Sequence, residues 1–209
     1  MTCAGCDDCL ATSTEIQYEI HITVERIADL STFNNECTDL DVKPLLVNDF
    51  FRNGDERLSM MTSSRHKGDD HSAHAEMRRV ADGLARAGFK VIRKKIETVP
   101  WHPYAPTDVN GRAPNPGQYF ECHFKIHTEI TSGLQQILRA SNLYLSANPM
   151  KYGVVMATLR YADMTIDVFN ATVQIMENYL KKQRLQVDPP RVEFTIYDSN
   201  PTYDDDWIK

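Results

Sequence analysis

The chain has 209 residues, 42% hydrophobic and 25% charged, with a formal charge of −6 at pH 7. A chain of this size hides roughly 70% of its unfolded surface on folding, so a real core is expected, and no apolar run approaches the roughly 20 residues of a membrane-spanning helix. The acidic balance excludes a general nucleic-acid coat, which needs a basic surface to displace counterions from phosphates.

Residues 1–15 read as a flexible tail. The start Met1-Thr2-Cys3-Ala4-Gly5-Cys6 has neither the basic nor the apolar stretch of a secretory signal, and five cysteines, an odd number, predict free thiols in a reducing cytoplasm. Cys3, Cys6 and Cys9 have the spacing of a metal loop but lack a fourth ligand nearby, so no structural metal is expected. A first lobe then spans 16–99. Its elements are a strand from Tyr18 to Val24, a short helix near Ser31 to Thr38, a strand through Met60 to Thr62, a helix, and a strand from Ile92 to Glu97. Asp70 precedes that second helix, whose Met77, Val80, Ala81 and Leu84 recur at helical spacing, and Gly88 stops it.

Residues 100–118 hold five of the ten prolines and read as a linker, in which Trp101, His102 and Tyr104 either cover the site or simply pack. The second lobe, 119–197, has a strand at Phe120–His127, a helix near Ser132 to Ser141, a strand around Thr158, a helix and a strand at Arg191–Tyr197. Thr165 caps that later helix, with Phe169, Val173, Met176 and Leu180 as its apolar stripe. Residues 198–209 form an acidic tail without the glycine turn and closing glutamate of a calcium loop, so a solvated tail with Trp207 tucked against a lobe is expected.

The two lobes align with each other. At a constant offset of 96, Thr62 falls on Thr158, Lys95 on Arg191 and Glu97 on Glu193; upstream, at an offset of 102, Tyr18-Glu19-Ile20-His21 falls on Phe120-Glu121-Cys122-His123. The expected architecture is therefore α+β and internally duplicated: two pseudo-symmetric βαβαβ lobes, with antiparallel or mixed sheets lining a central polar groove and helices outside. Strand alternation sorts the residues. Tyr18, Ile20, Ile22 and Val24 point one way and Glu19, His21 and Thr23 the other; Phe120, Cys122, Phe124 and Ile126 oppose Glu121, His123 and Lys125. Helices must cover the apolar faces, which leaves the polar ones to line a basic cleft.

Two histidines suit a reaction that needs an acid and a base near neutral pH, with cations to neutralise a phosphate. His21-Ile22-Thr23-Val24 resembles the motif of the two-histidine phosphoesterases, a superfamily of RNA ligase-like proteins and cyclic phosphodiesterases; His123-Phe124-Lys125-Ile126 is the counterpart, with lysine where that motif has a hydroxyl. The resemblance implies a bilobal protein using one histidine as acid and the other as base without a metal or other cofactor. The expected activity is hydrolysis of a small phosphodiester, a cyclic nucleotide or an RNA end, with His21 and His123 catalytic. Thr23, Lys125, Thr62, Thr158, Lys95, Arg191, Arg160, Glu97 and Glu193 would bind substrate. Two rivals use the same groove: a non-catalytic module for an anionic ligand or nucleotide, and a metal site built from Glu19, His21, Glu121 and His123. His66, His71 and His74, around a helix start, read as solvent-exposed.

Overall fold

The computed structural model describes residues 15–204 apart from 28, 113 and 114. Alternating strands need a partner for each edge and a cover for each apolar face, and here both demands are met by closure. The chain runs β1 (Ile16–Val24), α1 (Leu30–Asp39), β2 (Lys43–Phe50), β3 (Glu56–Gly68), α2 (Asp70–Arg86), β4 (Val91–Thr98), β5 (Tyr119–Ile126), α3 (Ser132–Ala140), β6 (Tyr144–Ala147), β7 (Val155–Tyr161), α4 (Ile166–Lys182) and β8 (Arg191–Asp198), then a 3-10 turn, Pro201–Asp204. The eight strands form one closed barrel in the order β1-β3-β2-β6-β7-β5-β8-β4. All neighbouring pairs are antiparallel.

Two βαβαβ lobes flanking a groove are therefore not what forms, and the reading of the chain as a duplicated, bilobal protein is corrected. Each half runs strand, helix, two strands, helix, strand, because β2 and β6 were not expected. Both are weak signals: β2 begins Lys43-Pro44 and carries Asn48-Asp49, while β6 has four residues. They are also what joins the halves. Asn48, Asp49 and Phe50 pair with Ala147, Ser146 and Leu145, and β4 pairs with β8, so no sheet edge is left open. The polar faces end up inside one barrel, not across a cleft between lobes.

Outside the barrel the apolar residues form two clusters. Tyr18, Ile20 and Ile22 of β1 pack under Phe33 of α1 and Met77, Val80 and Leu84 of α2; Phe120, Cys122 and Phe124 of β5 pack under Leu134 and Leu138 of α3 and Phe169 and Leu180 of α4. Ile196 packs against both. Helix α2 crosses the end of α1 closely enough that a Cβ at Gly83 would lie 2.4 Å from Leu40 Cδ2. No described helix is long and apolar enough to cross a membrane. Residues 1–14, with Cys3, Cys6 and Cys9, and residues 205–209, with Trp207, lie outside the described part.

Asp69 caps α2, and Asp70, read as preceding the helix, is its first residue. The Asp69 side chain accepts from Ser72 N at 2.8 Å while Ser72 Oγ accepts from Asp69 N at 3.0 Å. Asp69→Ala is expected to lower stability slightly through loss of the cap, measurable as a small, parallel shift of the urea unfolding curve; an unchanged midpoint would show that the cap is dispensable.

Candidate functional site in the barrel interior

Inward positions follow from the pairing. Glu19, His21 and Thr23 of β1 stand across from Glu97, Lys95 and Arg93 of β4, and Glu121 and His123 of β5 stand between Arg160 and Thr158 of β7 on one side and Glu193 and Arg191 of β8 on the other. Together they line a cavity of about 530 Å³, within the range of ligand pockets. The opposite wall, from β2, β3, β6 and the start of β7 with the residue before it, is mainly apolar, with Leu45, Val47, Met61, Ala147, Val154 and Met156, and Asp49, Ser59 and Ser146 are its polar members. Side-chain exposure grades along the axis, from 53% at Arg191 and 45% at Lys125 to 6% at Arg93 and 3% at Arg160. One end is a mouth and the other a floor.

The floor is closed by the 3-10 turn. Asp204 is buried and meets Arg93 Nη1 at 2.6 Å, Arg57 Nη2 at 2.8 Å and Arg160 Nη1 at 3.1 Å. Burial works against its charge, but Arg160 and Arg93 outweigh that and hold its pKa below the usual carboxylate range. The Tyr203 ring lies 3.7 Å from the Arg57 guanidinium carbon. Arg57 also meets Asp49, and Arg93 meets Asp198.

Above the floor a row of alternating charges runs between the two histidines. Glu121 binds Arg160 and Lys95; Lys95 reaches Glu97 Oε1 at 2.6 Å; Glu97 Oε2 lies 3.0 Å from His21 Nε2. Burial opposes the charge on Lys95, but Glu121 and Glu97 overcome it and raise its pKa. Burial likewise opposes ionised Glu97, and the charge of Lys95 with the His21 hydrogen bond drives it well below its ordinary range. For His21, burial lowers the pKa, but the hydrogen bond to Glu97 and the charges of Glu97 and Glu19 raise it above normal overall. For His123, burial lowers and the Glu193 hydrogen bond with Glu121, Glu193 and Glu97 raises, again upward overall. Toward the mouth, Arg191 bridges Glu19 and Glu193 at 2.6 Å each, and Lys125 meets Asp188 at 2.8 Å.

Of the residues singled out from sequence, His21, His123, Thr23, Lys125, Thr158, Lys95, Arg191, Arg160, Glu97 and Glu193 all line this cavity. Thr62 does not. Thr23 pairs with Met61 and Ile20 with Ser64, which places Ser63, not Thr62, beside His21 on the inner face, with Ser63 Oγ donating to Glu19 at 2.8 Å. The offset between β3 and β7 is thus 95, not 96, and a one-residue slip sends a side chain to the other face of a sheet. Thr62 is buried on the outer face, where its hydroxyl accepts from Ile22 N at 3.3 Å.

The basic cleft is also corrected. Six cations (Arg93, Lys95, Lys125, Lys151, Arg160, Arg191) line the cavity beside six carboxylates (Glu19, Asp49, Glu97, Glu121, Glu193, Asp204). The foursome Glu19, His21, Glu121 and His123 does not converge as a metal site; among the described residues Glu97, Glu121 and His123 bring ligand atoms within 4.8 Å of one another. The Lys95 ammonium bonds both of those carboxylates, so it supplies the positive charge a metal would bring. Trp101 and Tyr104 are exposed and form no part of the cavity lining, while His102 is buried on the barrel's outer side, its Nε2 3.0 Å from Asp70 Oδ1. His66 contacts Ser72 Oγ at 2.9 Å. Sequence reading missed the floor (Arg57, Asp49, Tyr203 and Asp204) and the apolar wall, to which Met61 and Met156 belong.

No family model matches the chain, and no curated protein sequence matches it. Among solved structures it is similar to an unknown protein from Galdieria sulphuraria, at 9% identity and a TM-score of 0.24, covering 86% of this chain and 98% of that one. It is also similar to a "Putative monooxygenase" from Fusobacterium nucleatum, at 10% identity and a TM-score of 0.30, covering 88% and 92%. A further "Putative monooxygenase", from Lactobacillus acidophilus, has 10% identity and a TM-score of 0.29, covering 88% and 93%. Likeness this distant says nothing about chemistry, and with the bilobal fold gone the phosphodiesterase and hydrolase reading is not retained.

Proposed function

We propose that the barrel is a binding site for a small, electrically neutral molecule with an apolar body and a polar end. The observation that carries this is the division of the cavity: aliphatic side chains and methionines predominate on one wall, and on the other the cations are already matched by carboxylates, while the sixth cation, Lys151, is exposed between β6 and β7. Arg93, Lys95, Lys125, Arg160 and Arg191 each contact a carboxylate. An anion such as a phosphate would have to break such pairs or sit beside six carboxylates, and separating a buried pair costs roughly 3–5 kcal/mol. A neutral molecule avoids that penalty, packs its body on Leu45, Val47, Met61 and Met156, and gains from burying apolar area at roughly 25 cal/mol per Å².

A matched pair of fluorescent probes tests the reading. The neutral ketone 2-acetyl-6-(dimethylamino)naphthalene is expected to bind with saturation at one per chain, and 6-(dimethylamino)-2-naphthoate, the same body carrying a carboxylate, at least tenfold more weakly. Equal or tighter binding of the carboxylate, or no binding of either, overturns the proposal. Preferential binding of 2-naphthyl phosphate would overturn it in favour of an anion site.

A further inference from the structure

The two imidazoles look alike in sequence but are held differently. His21 Nδ1 lies 3.1 Å from the carbonyl oxygen of Thr62, an atom that can only accept, and Nε2 lies 3.0 Å from Glu97 Oε2. Glu97 is ion-paired to Lys95 and kept ionised, so it too accepts. Both nitrogens of His21 therefore carry hydrogens, and both hydrogens are used within the wall. The first of these bonds is part of the sheet: the regular β1–β3 pairing lapses at His21 and Ile22, where the ring takes the Thr62 carbonyl and Ile22 N turns to the Thr62 hydroxyl.

His123 is less committed. Its Nδ1 lies 3.0 Å from Thr158 Oγ1, a hydroxyl that can donate or accept. Its Nε2 is 3.4 Å from Glu193 Oε2 and 3.8 Å from Glu121 Oε2, longer than the usual N–H···O range. Its side chain is 26% exposed against 16% for His21. The groups that face it are Glu121 and Lys125 of its own strand, Thr158 and Arg160 of β7, Arg191 and Glu193 of β8, and Glu97 of β4. The surrounding carboxylates favour its protonated form, and the nearest acceptor to Nε2–H is Glu193 Oε2, a long and weak contact at 3.4 Å.

We infer that His123 Nε2–H is the hydrogen bond offered to the occupant of the cavity, that His21 is a fixed imidazolium belonging to the wall, and that the polar end of the occupant is an acceptor such as a carbonyl oxygen. This rests on the binding reading above and narrows its ligand class. Neither ring is interchangeable with the other, although each occupies the same place in its strand.

The test is histidine ring NMR on the full chain with and without saturating naphthyl ketone, assigned with His→Gln variants. The ketone is expected to move the His123 ring signals and its titration midpoint and to leave His21 unmoved. His123→Phe, which keeps a ring of similar size but has no donor, is expected to weaken the ketone at least tenfold and to blue-shift the emission of whatever remains bound, since the carbonyl loses its donor. If the ketone binds wild type but His21 moves, or both rings or neither ring moves, the assignment fails while the binding reading stands. An unchanged affinity in a folded His123→Phe variant also overturns it. If the ketone does not bind at all, the binding reading fails and this inference goes with it.

Discussion

Glu121→Gln is expected to destabilise the fold by about 3 kcal/mol, the low end of what removing one partner from a buried ion pair costs. Glu121 is fully buried and bonds both Lys95 and Arg160, so the amide keeps the volume and deletes the charge that offsets the repulsion between two cations. Lys95 would retain Glu97, and Arg160 would retain Asp204, which keeps the expected loss from growing larger. In a chain of this length that corresponds to a fall in Tm of roughly 6–12 °C. Adding Lys95→Met removes the surplus positive charge along with its partner, and the double variant is expected to recover at least half of the loss. Denaturant unfolding at pH 7 of the wild type, both single variants and the double variant measures this. A loss under about 1 kcal/mol for Glu121→Gln would mean that water reaches the row of charges and screens it.

Met61→Trp is expected to abolish ketone binding, a loss of more than a hundredfold, without lowering Tm. Met61 stands on the apolar wall, paired across from Leu45 and Thr23. An indole there grows into the empty volume and not into packed neighbours, so the overpacking penalty of a filled core does not apply. The same change would leave the polar wall, the floor and the outer helices untouched. Retained binding in a folded Met61→Trp protein would place the ligand outside the barrel and dismiss the cavity as its site.

Much of the site was readable because strand alternation is a local property. Once Tyr18, Ile20 and Ile22 were assigned to the covered face, Glu19, His21 and Thr23 had to share the other, and the same reasoning placed Lys95, Glu97, Arg191 and Glu193 together. Thr62 went astray because alignment of two stretches of sequence does not reveal which residue of a long strand faces a given partner; β3 has 13 residues and pairs on both sides. The barrel itself was not legible. Its closure depends on three residue pairs between β2 and β6, some hundred positions apart, in strands whose own patterns are faint. Asp204 gave no sign of its role either, since an aspartate in an acidic stretch looks solvated until three arginines from other strands arrive beside it.

The seams between β2 and β6 and between β4 and β8 also decide what a fragment of this protein could be. A piece ending near Thr98 would keep its helices over one face but display the bare backbones of β2 and β4 and an ionic surface built for enclosure. Its quickest remedy would be a second molecule of the same fragment, so the half-chain is a dimerising or aggregating species, and the covalent link between the halves holds at high local concentration what would otherwise be a bimolecular assembly.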